Sequence, residues 1–257
     1  MTSVLESIIE GVLEDVAARE IPIEELRAQL VAAPPVKDAF AALNRTELSL
    51  IAEVKRASPS KGALADIPDP VQLAHEYETG GAQVISVLTE GRRFKGSITD
   101  FLSVREGVAI PLLRKDFIVT EFQVIESRVI GADLLLLIVA GLSDSQLRDF
   151  YQIATELGMN VLVEVHDELE IERALRLSPK IIGINSRNLK TLEVDPTAFA
   201  RLLPQIPADI LRVAESGISS HQQVVEIAAL GARAILVGET LVKSGNVQAG
   251  IKSLLGR

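Results

Sequence analysis

Between residues 4 and 16, Val4, Leu5, Ile8, Ile9, Val12, Leu13 and Val16 recur at the helical period, with Glu6, Glu10, Glu14 and Asp15 among them. That pattern predicts an amphipathic helix. A short second helix is expected after Pro22, through Leu26 to Leu30, and a third over roughly Val36 to Leu43. Further along, the period changes. Short apolar runs predict strands over Leu48–Val54, Gln83–Leu88, Ile110–Leu113, Asp133–Val139, Asn160–Val165, Lys180–Ile184, Ile210–Ala214 and Ala234–Val237. Helical segments are expected near Val71–Thr79, Ile98–Glu106, Glu121–Ile130, Ser143–Leu157, Glu168–Leu177, Pro196–Leu203, Ser220–Leu230 and Val247–Leu255. Gly81, Gly131, Gly158 and Gly231 follow four of these, where a left-handed residue would end the helix.

Continuous apolar strands alternating with helices imply a parallel sheet covered on its faces by helices. Eight such units close into a (β/α)8 TIM barrel, here with an N-terminal helical extension. An open doubly wound sheet is the alternative, but no glycine-rich dinucleotide fingerprint follows an early strand. No Pro/Gly/Ser-rich linker or charge block interrupts the 257 residues. One domain spanning 1–257 is therefore expected, with residues 1–47 as the extension.

Charge narrows the partners. A net charge of −9 and a pI near 5.0 oppose nucleic-acid binding and a polybasic membrane face, both of which need surplus cations. A small molecule is the expected partner, and a monomer the expected state. With no cysteine, disulfides and thiolate chemistry are excluded. His75, His166 and His221 lie far apart, so no histidine-rich metal motif is present. The segment Met1-Thr2-Ser3-Val4-Leu5-Glu6 lacks a basic leader pattern, and the longest apolar run, Leu134 to Leu142, is under half a membrane span. A soluble cytoplasmic protein is expected.

Polar residues end several of the predicted strands: Glu53 and Lys55 the first, Lys115 the third, Glu164 the fifth, Asn185 and Arg187 the sixth, Glu215 and Ser216 the seventh. In a parallel barrel all these ends meet at one mouth. Glu53 and Lys55 share a face, because side chains alternate along a strand. Any one could be a strand-end ion pair. Five strands ending this way at one end point to a site, since unpaired buried charge costs several kcal/mol and serves no structural purpose. Ser216-Gly217-Ile218 and Gly238-Glu239-Thr240 fall after strands seven and eight, where barrel enzymes often bind phosphate.

The stretch Leu50-Ile51-Ala52-Glu53-Val54-Lys55-Arg56-Ala57-Ser58-Pro59-Ser60-Lys61-Gly62 resembles the signature of the indole-3-glycerol-phosphate synthase family. Similarity continues in order through Ser86-Val87-Leu88-Thr89, Phe94-Lys95-Gly96-Ser97, Leu113-Arg114-Lys115-Asp116-Phe117, Leu162-Val163-Glu164-Val165-His166, Gly183 to Leu189 and Ala214 to Ile218. The resemblance implies a carboxy-lyase of tryptophan biosynthesis that needs no cofactor. Its substrate would be 1-(2-carboxyphenylamino)-1-deoxyribulose 5-phosphate, and its products indole-3-glycerol phosphate, carbon dioxide and water. It implies Lys115 as general acid, Glu164 as general base and Lys55 on the substrate carboxylate, with the acid roles of the two lysines undivided. Glu53, Glu215 and Asn185 would orient these groups. Ser58, Ser216, Gly217, Gly238 and Glu239 match phosphate-binding positions, Arg187 is expected to face substrate, and Phe94, Phe117 and Leu136 match contacts to the aromatic ring, with ordinary core an equal reading for Leu136.

Two positions depart from the family pattern. Gly11 stands where relatives often carry a basic residue, and Glu239 where a small residue is common, so its side chain must turn away from phosphate. His166-Asp167 is read as capping the helix after strand five, with His75 and His221 on helices away from the mouth. A phosphoribosylanthranilate isomerase has no need of a second lysine for a carboxylate, and a binding-only sensor has no need of Lys115 or Glu164.

Overall fold

The computed structural model describes residues 3–257; residues 1 and 2 of the expected extension lie outside them. Ten strands form in chain order: β1 (Ser49–Val54), β2 (Ala57–Ser58), β3 (Gly62–Ala63), β4 (Val84–Leu88), β5 (Leu112–Lys115), β6 (Leu134–Ile138), β7 (Asn160–Val165), β8 (Ile181–Asn185), β9 (Leu211–Glu215) and β10 (Ala234–Val237). β1 and β4 to β10 make a closed, all-parallel barrel in sequential order, sealed where β1 pairs with both β4 and β10. The predicted eight strands are these. β2 and β3 form a small antiparallel hairpin just above β1, which no periodicity announces in so few residues.

Twelve α-helices accompany them: α1 (Val4–Ala17), α2 (Ile23–Ala28), α3 (Ala39–Leu43), α4 (Pro70–Thr79), α5 (Ile98–Gly107), α6 (Glu121–Val129), α7 (Asp144–Glu156), α8 (Glu168–Leu175), α9 (Ala198–Leu202), α10 (His221–Ala229), α11 (Glu239–Val242) and α12 (Val247–Leu255). Side chains fix their starts. Ser3, Thr120 and Ser143 make capping boxes, and Asp69, Ser97, Asp167, Ser220 and Asn246 accept from first-turn N–H groups. Gly81, Gly131, Gly158 and Gly231 all take positive φ, as their places in the sequence predict. At Gly131 a side chain would also press on Pro34. No helix of the described residues is long and apolar enough to cross a membrane.

The barrel strands are buried almost throughout, with Leu50, Ile85, Leu113, Leu135, Leu162, Ile182, Val213 and Ile235 each fully inaccessible. That burial on both faces is why the strands read as unbroken apolar runs.

The extension touches both ends of the barrel. Ile8 of α1 reaches the C-terminal mouth, and Arg19 just beyond α1 donates to Glu126 of α6 at 2.9 and 3.0 Å. The chain then passes α2 along α6 and turns under the floor. There the Lys37 N–H donates to Asp133, the Phe40 N–H donates to Asn160, and the Leu43 carbonyl accepts from the Ser49 hydroxyl. The third helix is thus shorter than the expected Val36–Leu43, because its first residues are spent on these extended contacts. Gly11 has a packing reason: the Arg92 side chain lies 3.0 Å from where a Cβ would stand, on its way to Glu14 and Asp15.

Candidate active site

Parallel strands in register carry their last inward residues to one level. Glu53 pairs in register with Ser86, Leu88 with Lys115, Ile138 with Glu164, and Asn185 with Glu215. Above them opens a cavity of about 380 Å³, a size suited to a small metabolite. Glu53, Lys55, Ser58, Phe94, Lys115, Phe117, Leu136, Glu164, Asn185, Arg187, Glu215, Ser216, Gly217, Gly238 and Glu239 all line it. Every site residue expected from sequence is therefore at the mouth.

Lys115 stands at the centre of a carboxylate ring. Its Nζ is 3.2 Å from Glu164 Oε2 and 3.7 Å from Glu215 Oε2. Burial works against the ammonium, yet Glu164, Glu215 and Glu53 outweigh it and hold the Lys115 pKa above that of an ordinary lysine. Burial likewise opposes ionisation of Glu164, but Lys115 and then His166 and Asn185 overcome it, so Glu164 stays below the usual carboxylate range. Glu215 goes the other way. Burial and the adjacent Glu164 charge outweigh Lys115 and push it up to about 8. The mouth thus sets a carboxylate favoured in its ionised form and a lysine favoured in its protonated form beside a carboxyl drawn toward its neutral form, three tendencies chemistry can use.

Several of these atoms lack partners. Among the described residues, both carboxyl oxygens of Glu215 and the Ser86 hydroxyl are buried with no hydrogen bond, and Glu164 Oε1 and His166 Nε2, 3.4 Å apart, make only a charge contact. Buried polar groups are normally satisfied, so the Glu215 oxygens are groups that a bound substrate's hydroxyls can meet. Glu215 occupies its place only because residue 183 is glycine, since a Cβ there would collide with its Oε1. Lys55 is held separately, 2.5 Å from Glu53 Oε1.

Loops complete the walls. The Glu90 carboxylate accepts the N–H groups of Arg92, Arg93 and Phe94 at 2.8–2.9 Å, curling the loop after β4 so that Phe94 meets Phe117 with ring centroids 5.9 Å apart. Gly96 lets that loop close on the Leu88 carbonyl, where a side chain would collide. Beneath Phe117, the fully buried Arg114 binds Thr89, Asp116, Glu126, Ser127 and the Gln123 carbonyl. Five N–H donors in a rigid fork suit that junction, which anchors the segment carrying Lys115. Ser216 and Gly217 take consecutive left-handed conformations, φ 68° and 71°, turning the loop after β9 so that its backbone faces the cavity. Gly238 is pressed against Glu53, with Oε1 2.9 Å from where a Cβ would stand. The Arg187 guanidinium donates to the Leu192 carbonyl at 2.8 Å, leaving other N–H groups for the cavity.

Glu239 lines the cavity and accepts from Lys61 at 2.7 Å and Lys243 at 2.8 Å. Lys61 and Ile8 line the cavity although neither drew attention in the sequence. Lys61 lay within the signature segment, which was its signal; Ile8 had none beyond belonging to a buried helical face.

A sequence model described as indole-3-glycerol phosphate synthase matches residues 5–254. The chain belongs to the indole-3-glycerol phosphate synthase family. Relatives bearing that name include those of Mycobacterium ulcerans and Rhodococcus jostii, each 52% identical over 255 residues and 98% of this chain, covering 94% and 95% of theirs. That of Mycobacterium tuberculosis is 51% identical, with 98% and 94% covered. Indole-3-glycerol phosphate synthases are decarboxylating lyases of tryptophan biosynthesis, so the membership makes the chain a lyase of amino-acid biosynthesis. Among solved structures, 3-hexulose-6-phosphate synthase from Salmonella typhimurium superposes with a TM-score of 0.66 at 14% identity, over 81% of this chain and 97% of that one. A tryptophan synthase α-subunit mutant from Pyrococcus furiosus gives 0.62 at 16%, over 87% and 100%. These two share the TIM-barrel fold with indole-3-glycerol phosphate synthases.

Proposed function

We propose that the chain converts 1-(2-carboxyphenylamino)-1-deoxyribulose 5-phosphate to indole-3-glycerol phosphate, carbon dioxide and water, with Lys115 as general acid and Glu164 as general base. The observation that carries this division of roles is the Lys115 ammonium 3.2 Å from Glu164 Oε2 at the base of a cavity large enough for a small phosphorylated substrate, a contact that favours the charged form of each.

The ring carbon bearing the carboxylate attacks the ribulose ketone, and Lys115 supplies a proton and positive charge where oxyanion character develops. Carbon dioxide then leaves, returning its bonding electrons to the ring. The hydroxyl departs next as water on a proton from Lys55, and Glu164 takes the proton released from the adjacent carbon in that dehydration. Lys55 holds the substrate carboxylate, with Glu53 fixing its ammonium. Glu215, protonated near neutrality, can donate to a sugar oxygen, and Asn185 positions the reacting groups. Phosphate takes the loops after β9 and β10, met by Ser58, Ser216, Gly217, Gly238 and the Glu239 N–H, with Arg187 alongside. Phe94, Phe117 and Leu136 cover the aromatic ring.

We also read residues 1–257 as one domain in the cytoplasm, acting as a monomer. Support for the first is a continuous apolar core from Leu5 to Leu254. The test of function is incubation with the carboxyphenylamino sugar phosphate, following indole fluorescence without added metal or nucleotide. Appearance of the signal supports the reading, and silence with an intact fold overturns it.

A further inference from the structure

His166, one residue past β7, was read from sequence as part of a helix cap. Asp167 does that capping alone, accepting the Glu170 N–H at 2.9 Å. Glu164 and His166 stand two apart, so both project to the same side of the chain while Val165 faces the other. The ring is buried, with its side chain only 9% exposed. Its Nδ1 lies 2.9 Å from Glu170 Oε2, and that same oxygen accepts the His166 backbone N–H at 2.9 Å. Its Nε2 lies 3.4 Å from Glu164 Oε1.

A carboxylate therefore faces each ring nitrogen. A neutral imidazole has one bare nitrogen, which would point a lone pair at a carboxylate oxygen, whereas the imidazolium turns an N–H toward each, hydrogen-bonded to Glu170 and in a charge contact with Glu164. We propose that His166 is a positioning residue of the active site, a buried imidazolium that holds Glu164 in one orientation and keeps it ionised while Lys115 delivers its proton.

The two oxygens of Glu164 meet different cations: Oε1 faces His166 at 3.4 Å and Oε2 accepts from Lys115 at 3.2 Å. Charge matters as much as aim. When Lys115 gives up its proton, Glu164 loses the nearer of its two cations in a site where burial favours neutral forms. The substrate also brings a carboxylate and a phosphate. With His166 in place, one cation remains on Glu164 throughout. The groups facing Glu164 are Lys115 from β5, Asn185 from β8, Glu215 from β9 and His166 beyond its own strand; those facing His166 are Glu164 and Glu170. Burial pulls the imidazole pKa down, but hydrogen bonding and charge from Glu164 and Glu170 raise it to about 10, which agrees with the geometry.

This inference rests on the proposed role of Glu164, and its test separates the two. In nitrogen-labelled enzyme without substrate, the long-range proton–nitrogen spectrum of His166 should show both ring nitrogens protonated at pH 7.5; a neutral tautomer there overturns the proposal. That spectrum needs no turnover, so it decides the state of His166 even if the reading of the reaction fails. In kinetics, His166→Asn should leave KM within about twofold and lower kcat most at the acid end, about tenfold near pH 6, the deficit shrinking toward pH 8.5, because a buried Glu164 whose pKa has risen about one unit past the assay pH is only about one-tenth ionised there. Glu170→Gln should shift the profile in the same direction by less. A deficit constant with pH, or none, overturns the proposal.

Discussion

The two ends of the barrel both place polar side chains on or beside buried strands and treat them in opposite ways. At the N-terminal end, Asp133 accepts from the Lys37 and Leu112 N–H groups at 2.7 and 2.8 Å and from Arg105 at 2.6 Å. Gln83 accepts from the Leu50 N–H and donates to the Gly81 carbonyl, both at 2.7 Å. Asn160 and Ser49 bind the extension. At the C-terminal end, Glu215, Glu164 and Ser86 keep buried atoms without a hydrogen bond, and three glutamates crowd one lysine. Among the described residues, the unmatched buried atoms at the N-terminal end are guanidinium nitrogens of Arg128 and Arg212, whereas at the mouth they are mostly carboxyl oxygens, and those are held for something else. The floor is where this molecule is stabilised. The mouth is where stability is given up for chemistry.

Variants at the two ends should therefore fail differently. The largest effect is expected at Lys115→Met: turnover should fall roughly 10³-fold or more while substrate still binds, read by single-turnover kinetics beside equilibrium binding. A variant retaining a tenth of the rate would break the assignment of Lys115 as acid. At the floor, Asp133→Ala strips one partner from a buried ion pair and should cost about 3 kcal/mol in denaturant unfolding, with kcat of the folded fraction within about twofold. If its kcat fell instead, the separation of the two ends would be wrong.

Glu164→Gln should lower kcat roughly 10²-fold, and steady-state rates across pH would check it. The smallest effect concerns Glu215. Its folded pKa of about 8 lies above the ordinary 4.5, so between these values the folded state holds a proton that the unfolded chain has released, and stability falls as pH rises through that window. Glu215→Gln removes that dependence. It should stabilise the protein at pH 8 and leave it unchanged at pH 4, measured by thermal unfolding at both. Equal shifts at the two pH values would place the proton elsewhere.

Much of the barrel was legible in the sequence because both faces of its strands are buried, which writes each strand as an apolar run. The mouth was legible for the converse reason: Glu53, Lys115, Glu164 and Glu215 interrupt or end runs that burial would otherwise keep apolar. What the pattern could not carry was partnership across the fold. A helical period shows that Ile8 is buried but not that it is buried against the mouth. His166 read as a cap because its sequence neighbour Asp167 is one, while its own partners are set by the alternation of β7 and by Glu170 one turn into α8. The Glu239 latch to Lys61 joins loops 178 residues apart, which no local signal encodes.

The extension that closes both ends also sets an order of events. Residues 4–43 leave the ribosome before any barrel strand exists, yet Arg92 binds α1, Glu126 binds Arg19 and Asn160 binds Phe40 across 120 residues of chain. This segment must therefore wait for partners made much later, the contact of Phe40 for an asparagine 120 residues further along the chain.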